Sequence, residues 1–289
     1  MKDKKGAIMI IETERLVLKE MSLNDVNGLS DVLLDPDVMR YYPYPFTYDD
    51  VLFWINRNIE RYQIFGFGLW GVFLKETNEM IGDCGLTMQI IDEVIKPEIG
   101  YHIKKSHQRK GYAKEAAIAV RDYAFSNTPF KTIYSYMLSD NIPSIKTAKS
   151  YGCHEVYEYN DEKTGSHKVF AITRDEWMMI KYLGKEVTVK VDRPKGSCHP
   201  THHDIFYPIN YGYVEGIMAL DNEWQDAYIL GVNEPVECFT GNIIAIIERL
   251  DDVEQKWVVA PKDSCYTEEE ILKHVFFQEQ FFKIKIHML

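Results

Sequence analysis

The chain of 289 residues contains few cysteines and no long apolar run. Its five cysteines are scattered, odd in number and never spaced as CxxC, which argues against a disulfide framework and against a thiolate metal site. No segment approaches the roughly 18 consecutive apolar residues that a membrane-spanning helix requires. We therefore expect a protein of the reducing cytoplasm that does not cross a membrane.

Basic residues are also scarce, with 33 Lys and Arg against 44 Asp and Glu and a net charge of −11. This balance disfavours non-specific binding to nucleic acid, because phosphate groups are neutralised by a surplus of Lys and Arg. The acidity is concentrated in the last third, where 18 acidic residues face 10 basic ones from residue 183 onward. At the start, MKDKKGAIMIIETERL has too short an apolar run for a cleaved signal.

The length exceeds that of one average domain and suits two. Up to residue 182, strand-like and helix-like periods alternate, with three successive strands in FGLWGVFLK, EMIGDCGLTMQII and PEIGYHIK. Helices are predicted after the capping residues Ser22 and Thr47, and over residues 111–127. We predict a mixed α/β domain around a mostly antiparallel sheet over residues 1–182.

The remaining residues, 183–289, contain short strand-like runs at close spacing, such as EVTVKVDR, AYILGV, NIIAIIERL and KWVVAP. A helix is predicted from Thr267, where the acidic TEEE suits the positive end of the helix dipole. This pattern predicts a small β-barrel with a terminal helix. We found no internal repeat.

A polar segment with small residues, HQRKGYAKEA, separates a predicted strand from the helix that follows. Small residues at a helix start let backbone N–H groups face an anion, so the segment predicts a pyrophosphate site. The pattern N-x-x-S-x-x-x-A-x-x-x-G follows over residues 141–152. Together these motifs resemble those of the GNAT acyltransferases over roughly residues 10–180. The opening TERLVL resembles the branch that acetylates the N-termini of ribosomal proteins.

The resemblance implies acetyl-CoA as cofactor and a primary amine, on a small molecule or a protein, as acceptor. It implies that the amides of residues 109–113 hold the pyrophosphate, that Asn141 lies along the pantetheine arm, and that backbone N–H groups near Tyr101 and His102 meet the oxyanion. The cofactor contacts predicted in this way are Tyr101, His102, Ile103, Gln108, Arg109, Lys110, Gly111, Tyr112, Ala113 and Asn141.

Two residues are the predicted catalysts. Glu98 is the carboxylate best placed to accept a proton from the amine, directly or through water; the alternative is a solvated carboxylate at a strand end. Many GNAT enzymes have a tyrosine seven residues after the asparagine, where this chain has Ala148. Ser144 is the expected substitute beside the leaving thiolate, and its alternative is a residue that only stabilises a helix start.

Other polar and aromatic residues have two interpretations. The side chains of His102 and His107 are expected to be exposed polar groups rather than catalysts. The aromatic run YYPYPF, residues 41–46, lines either the acceptor pocket or a packed core.

A second chemical pattern lies in ALDNEWQDAYILG. Asp221, Glu223 and Asp226 fall within six consecutive positions just before a predicted strand. Carboxylates at this density repel one another unless a cation joins them, and hard oxygen ligands suit Mg²⁺. With VDRPKGS, YPINYGYVEG and DDVEQKWVVAP in the same order, the segment resembles soluble family I inorganic pyrophosphatase over roughly residues 184–282.

This second resemblance implies a metal site and bound pyrophosphate. The metal ligands predicted from it are Asp221, Glu223, Asp226 and Asp251, and the phosphate contacts are Tyr211, Lys256 and Lys195. The chain departs from the family in Glu223, which replaces an aspartate. The segment between Pro194 and Phe206 is also too short for the hairpin that carries some of the family's phosphate-binding cations. His199, His202 and His203 either compensate, form a separate metal site or belong to an ordinary polar loop. The alternative for the whole domain is a non-catalytic module, and a homo-oligomer is also possible.

Overall fold

The computed structural model describes residues 10–199, 206–219, 221, 223–252 and 254–288. The prediction about a cleaved signal, and the positions of His202 and His203, lie outside the described residues. The chain divides into two compact units, Met1–Trp177 and Met178–Leu289. The boundary predicted between residues 182 and 183 stays a prediction.

The first unit contains a sheet flanked by helices. Its strands are β1 Ile10–Glu12, β2 Leu16–Lys19, β3 Leu69–Leu74, β4 Met80–Ile91, β5 Val94–Ile103, β6 Thr132–Leu138, β7 His154–Asp161 and β8 Gly165–Thr173. Its helices are α1 Val26–Leu33, α2 Tyr48–Phe65, α3 Tyr112–Asn127 and α4 Ile142–Ser150, and α5 follows at Arg174–Tyr182. The strand order is β1-β2-β3-β4-β5-β6-β8-β7.

Every neighbouring pair in this sheet is antiparallel except β5 and β6. These two strands run parallel and pair at a single position, Glu98 with Tyr134. Beyond it, Ser135 donates a side-chain hydrogen bond of 3.3 Å to the carbonyl of Ile99, but no further backbone pairing joins the strands. We call this interval, bounded by residues 99–103 of β5 and 135–138 of β6, the β5–β6 gap.

Local capping explains where the longest helix begins and ends. The Thr47 hydroxyl accepts a hydrogen bond from the backbone N–H of Asp50, and the Asp50 carboxylate accepts one from the backbone N–H of Thr47. This capping box starts α2 as predicted. The helix stops at Gly66, which adopts a left-handed conformation with φ of 74°. Ser22 caps a short 3-10 turn, Leu23–Asp25, which precedes α1.

The second unit is a closed barrel with a terminal helix. Its elements are β9 Glu186–Arg193, β10 Asn210–Met218, β11 Trp224–Ile229, β12 Cys238–Arg249, β13 Gln255–Ala260, α6 Glu268–Glu279 and β14 Ile284–Met288. Strands β9 to β13 close on themselves in the order β9-β10-β11-β13-β12, with β12 returning to β9. Thr267 caps α6. The predicted α/β fold, with a mostly antiparallel sheet, a small barrel and a terminal helix, is confirmed.

The barrel has an apolar core beside a buried ionic cluster. Tyr207, Tyr211 and Tyr228 pack with aliphatic residues of β12 and with Ile271 and Val275 of α6. Beside them Arg249, whose side chain is 3% exposed, forms hydrogen bonds of 2.9 Å and 2.7 Å to the two carboxylate oxygens of the fully buried Glu279 side chain. A buried charge of this kind is retained only with a partner of good geometry.

Across the described part of the chain, no helix combines the length and the apolar character needed to span a bilayer.

Candidate functional site

The segment between β5 and α3 forms an exposed loop with an unusual backbone. Arg109 has a φ of 64° and Gly111 a φ of 86°, and both values lie in the left-handed region that favours glycine. The side-chain amide of Gln108 donates to the carbonyl of Ile103 at 2.9 Å, which fixes the loop to the end of β5. We call residues 108–111 the cradle loop.

The cradle loop leads directly into α3. Gly111 is the N-cap of this helix and has no side chain, so the first backbone N–H groups of α3 have no capping side chain to which they could donate a hydrogen bond. Tyr112 and Ala113 form the first turn. Lys110 and Arg109 are exposed. Amides and cations in this arrangement suit a phosphate group.

Arg15, which the sequence analysis left without a role, holds this loop in place. Its guanidinium donates to the carbonyl of Lys110 at 3.1 Å, stacks 4.5 Å above the ring of Tyr112, and pairs with Glu115 at 2.6 Å. Burial alone raises the pKa of Glu115, but hydrogen bonds from Thr13 and Arg15 outweigh it and lower the pKa overall. The only earlier signal for Arg15 was its place in TERLVL.

Glu98 lies on β5 at the start of the β5–β6 gap. The residue is 7% exposed, so it is a buried carboxylate and not a solvated strand end. Its carboxylate bends over Gly100, where an added Cβ would lie only 3.2 Å from Oε2, and it accepts a 3.0 Å hydrogen bond from Thr87. Burial is the main reason why the pKa of Glu98 rises from 4.5 to about 7. Such a group exchanges protons near neutral pH.

His102 lies on the same face of β5 as Glu98, and its side chain is 11% exposed, so the expectation of an exposed side chain was wrong. That His102 is not a catalyst stays a prediction. Nδ1 lies 2.7 Å from Asp83, a residue with no exposed surface, and Nε2 lies 2.8 Å from the hydroxyl of Tyr42. The other oxygen of Asp83 accepts a 2.8 Å hydrogen bond from the indole of Trp54. Desolvation of its hydroxyl end raises the pKa of Tyr42, and the charges of Asp83 and Glu98 add to this effect.

The aromatic run at residues 41–46 lies beside this group. Tyr42 and Phe46 pack edge to face with centroids 5.4 Å apart, and Phe46 also contacts Trp54 at 5.8 Å. Tyr44 is 56% exposed and stacks on Phe46. The run therefore packs against the His102 group and also presents aromatic surface to solvent.

Helix α4 begins at the far side of the β5–β6 gap. Asn141 is its N-cap and accepts a 3.2 Å hydrogen bond from the backbone N–H of Ser144. The Ser144 hydroxyl lies 3.0 Å from the hydroxyl of Tyr101, which also lies 3.0 Å from the Ser144 carbonyl. Ala148 is fully buried.

In the second unit the structure brings together only some of the predicted residues. Lys256, 3% exposed, forms ion pairs with Asp226 and with Glu254, and its ammonium lies 5.8 Å from the centroid of the Tyr211 ring. Asp221 instead accepts the backbone N–H of Glu223 at 2.9 Å.

Two further predicted residues lie in other surroundings. Asp251 accepts the backbone N–H of Lys283, at 3.0 Å from Oδ1, and the backbone N–H of Lys195 donates to Asn210 at 2.9 Å.

The predicted metal cluster is not assembled. Counting only the described residues, no group of three or more His, Cys, Asp or Glu side chains is arranged to hold a metal ion. The sequence did not anticipate that Lys256 would supply the positive charge beside Asp226. The ammonium group of Lys256 offsets the repulsion between carboxylates for which the sequence analysis predicted a metal ion. The prediction of Mg²⁺ therefore has no support in the geometry.

Comparison with known proteins matches the first unit. The family described as "Acetyltransferase (GNAT) domain" matches residues 15–154. The uncharacterized protein YkkB of Bacillus subtilis (strain 168) is 35% identical over 143 residues, which span 49% of this chain and 83% of YkkB. The uncharacterized N-acetyltransferase p20 of Bacillus licheniformis is 36% identical over 48% of this chain and 78% of its own length.

Solved structures share the fold of this unit. An acetyltransferase of the GNAT family from Bacillus anthracis has a TM-score of 0.51 and 24% identity, covering 58% of this chain and 99% of its own. An acetyltransferase from Agrobacterium tumefaciens has the same two values and covers 60% and 98%. The family match and the two relatives above 30% identity together establish the family. Through residues 15–154, the chain belongs to the GNAT acetyltransferase family.

Proposed function

We propose that the first unit transfers an acetyl group from acetyl-CoA to a primary amine. The observation that carries this proposal is Glu98, a buried carboxylate at the β5–β6 gap with a pKa of about 7. An amine attacks a thioester only as the neutral base, so a group that accepts a proton near neutral pH is needed beside it. Membership of the GNAT family supports the same chemistry.

The residues around the cradle loop fit the phosphates of acetyl-CoA. The first amides of α3 have no side-chain cap, two residues hold left-handed backbone, and Arg109 and Lys110 are exposed cations. We infer that residues 109–113 hold the pyrophosphate, that Gln108 positions the loop through Ile103, and that Asn141 lies along the pantetheine arm. When bound, acetyl-CoA supplies the activated acetyl group.

The proposed catalytic groups lie on both sides of the β5–β6 gap. Glu98 receives the proton of the attacking amine, and backbone N–H groups near Tyr101 and His102 are proposed to stabilise the oxyanion. Ser144 is proposed to face the leaving sulfur, since it lies in the first turn of α4, on the opposite side of the gap.

The acceptor side is lined by Tyr42, Phe46, Trp54 and the His102–Asp83 pair. Aromatic faces attract an ammonium ion, and Glu98 adds a carboxylate once it is ionised. We propose that a primary amine enters here as the cation, on a protein N-terminus or on a small molecule. It gives one proton to Glu98 to become the nucleophile, and the second proton goes to the leaving thiolate as the C–N bond forms and the C–S bond breaks.

We propose no second catalytic function for the barrel. The ion pairs of Lys256 with Asp226 and Glu254, and the separate surroundings of Asp221 and Asp251, favour neither Mg²⁺ binding nor pyrophosphate hydrolysis. The resemblance to pyrophosphatase and the possible homo-oligomer stay predictions of the sequence. Phosphate release from pyrophosphate, with and without Mg²⁺, measures the first of these.

The cradle is tested by calorimetry of acetyl-CoA binding to Gly111→Val in the full chain. A β-branched side chain disfavours the φ of 86°, so the amides are expected to lose their orientation and the affinity to fall by more than about tenfold. Gly165→Val is the matched control: it has a φ of 93° and open space around it, in the β7–β8 turn. Equal affinity in wild type and Gly111→Val would remove the cradle from the proposal.

A further inference from the structure

Lys96 lies on β5, two residues before the proposed base Glu98. Side chains alternate along a strand, and β5 pairs with β4 in an unbroken register, so Lys96 and Glu98 lie on the same face of the sheet. Two residues of strand separate the two positions by about 7 Å. His102 lies on this face as well. We call the face that carries Lys96, Glu98 and His102 the acceptor face.

Beyond β5, the acceptor face is aromatic. Tyr134 of β6 is paired with Glu98, and Tyr136 follows it on the same face. The ring centroid of Tyr136 lies 6.0 Å from that of His167 on β8, which stacks on Tyr159 of β7 at 5.2 Å. Burial is the main reason why the pKa of Tyr136 rises to about 12, and the charge of Glu98 adds to this rise. The proposed base and these rings therefore share one surface.

The ammonium group of Lys96 is held above this aromatic surface. Its Nζ lies 5.0 Å from the centroid of the Tyr134 ring and 4.7 Å from that of the Tyr157 ring, and it donates a hydrogen bond to the Tyr157 hydroxyl. The residue is half-buried, and no carboxylate of the described residues forms an ion pair with it. An ammonium group has three N–H donors. Lys96 therefore has donors left for an anion that enters from the open side.

The neighbouring ion pairs do not balance this charge. Lys168 follows His167 on β8, so its side chain lies on the opposite face of the sheet. There it pairs with Glu155 at 2.7 Å and with Glu158 at 3.9 Å. The carboxylates of β7 that form ion pairs are thus used away from the acceptor face.

We propose that Lys96 determines acceptor specificity by binding a carboxylate of the acceptor while the acceptor amine lies at Glu98. The inference rests on the proposed acetyl transfer and names a class of acceptor for it, a primary amine with a carboxylate several bonds away. The separation of about 7 Å along β5 suits an acidic side chain near a peptide N-terminus better than an α-carboxylate, which is one carbon from the amine.

The surroundings of Lys96 favour such an ion pair. The two tyrosine rings attract the ammonium and fix its position before the acceptor arrives. They also remove part of its hydration, and an ion pair in a partly desolvated site is stronger than one on an open surface.

The test compares two short peptides with free N-termini that differ only in glutamate or glutamine at the second position. Acetyl transfer to each is measured with the full chain, as kcat/KM for the peptide. Wild type is expected to prefer the glutamate peptide by about tenfold, mainly through KM, because the carboxylate lies away from the reacting atoms. Lys96→Met keeps an apolar stem without the charge and should reduce this ratio to about one.

Three further variants separate loss of the charge from loss of structure. Lys168→Met removes the paired lysine on the opposite face and should keep the wild-type ratio. Lys96→Arg keeps a cation and should retain a preference for the glutamate peptide, which preserves the test if Lys96→Met does not fold. Lys96→Glu should reverse the preference, since it repels the glutamate peptide.

Free glutamate and free glutamine form a second pair of acceptors, which places the carboxylate on a small molecule. A ratio that depends on Lys96 in the peptide pair assigns the carboxylate to a polypeptide, and such a ratio in the free pair alone assigns it to an amino acid. Both results support the inference.

The contrary outcomes distinguish this inference from the proposed function. Equal kcat/KM within both pairs in wild type, or ratios that Lys96→Met leaves unchanged, would overturn the role of Lys96 and leave acetyl transfer intact. Absence of transfer to any amine, although acetyl-CoA binds, would overturn the proposed function and the inference with it.

Discussion

The carboxyl group of Glu98 is buried, and this burial is the main reason why its pKa lies near 7. Removal from water penalises the charged carboxylate, and the Thr87 hydrogen bond and the more distant charges of His102 and Arg61 only partly offset that cost. The residue is therefore ready to accept a proton at the pH where amines must be deprotonated for attack.

The pH dependence of turnover follows from this pKa. Because the base acts in its ionised form, kcat/KM of the wild type should fall about tenfold per unit as pH drops below about 7. Glu98→Gln should lower kcat by about 10² to 10⁴-fold and remove this acid limb, with CoA affinity unchanged. A variant with full activity and the same pH profile would exclude Glu98 as the base.

Activity should rise as Glu98 loses its proton, whereas the stability of the folded state should fall. Stability therefore gives a second measurement of the same pKa. The pKa of Glu98 is raised above the unfolded value of 4.5, so the folded state holds the proton more tightly and loses stability as pH rises from 4.5 through about 7. Glu98→Gln should remove this loss, which amounts to at most about 3 kcal/mol. Hydrogen exchange of the β5 amides at about pH 4, below this window, and at about pH 8, above it, measures the difference.

At the scale of single residues, local motifs could be interpreted in advance and distant contacts could not. Gly111 stands at a strand-to-helix junction in a sequence that predicts an anion site, and it has the left-handed backbone that such a turn requires. His102 and Tyr42 are 60 positions apart, and Asp83 is 19 positions from His102. Only the register of β4 with β5, which pairs Asp83 with His102, makes this group visible.

At the scale of elements, capping sequences explain which boundaries were predictable. Thr47 with Asp50 and Thr267 with Glu270 form reciprocal hydrogen bonds within four residues, so α2 and α6 begin where the sequence predicts. Ser22 forms the same box, but with a 3-10 turn before α1. The capping motif specifies a start and does not specify the type of helix that follows.

Helix α6 is joined to the barrel by a buried ion pair that can be tested. Glu279→Ala leaves the Arg249 guanidinium in a buried site with only part of its partners, so local stability should fall by about 3 kcal/mol or more. Glu269→Ala on the exposed first turn of α6 is the matched control and should change stability by less than about 0.5 kcal/mol. Native-state hydrogen exchange of β12 and β13 in the full chain measures both. Equal protection in the two variants would contradict a stabilising role for the pair.

At the scale of the whole molecule, composition and alternation predicted two domains, one built on a mostly antiparallel sheet and one on a barrel. The carboxylates of Asp221, Glu223 and Asp226 predict a cation site, and this prediction fails for a physical reason. Closure of the barrel places β11 beside β13, which brings Lys256 next to Asp226. A pairing between strands distant in sequence cannot be inferred from the local density of carboxylates.

The central claim is amine-dependent acetyl transfer, and release of CoA thiol from acetyl-CoA by the full chain measures it most directly. The acceptors are a short peptide with a free N-terminus, a polyamine and a simple primary amine, with the N-terminally blocked peptide as matched control. The account predicts thiol release that requires a free amine, addition of one acetyl group to that amine, and loss of both in Glu98→Gln. Thiol release equal with the free and blocked peptides, or none with any amine although acetyl-CoA binds, would contradict it.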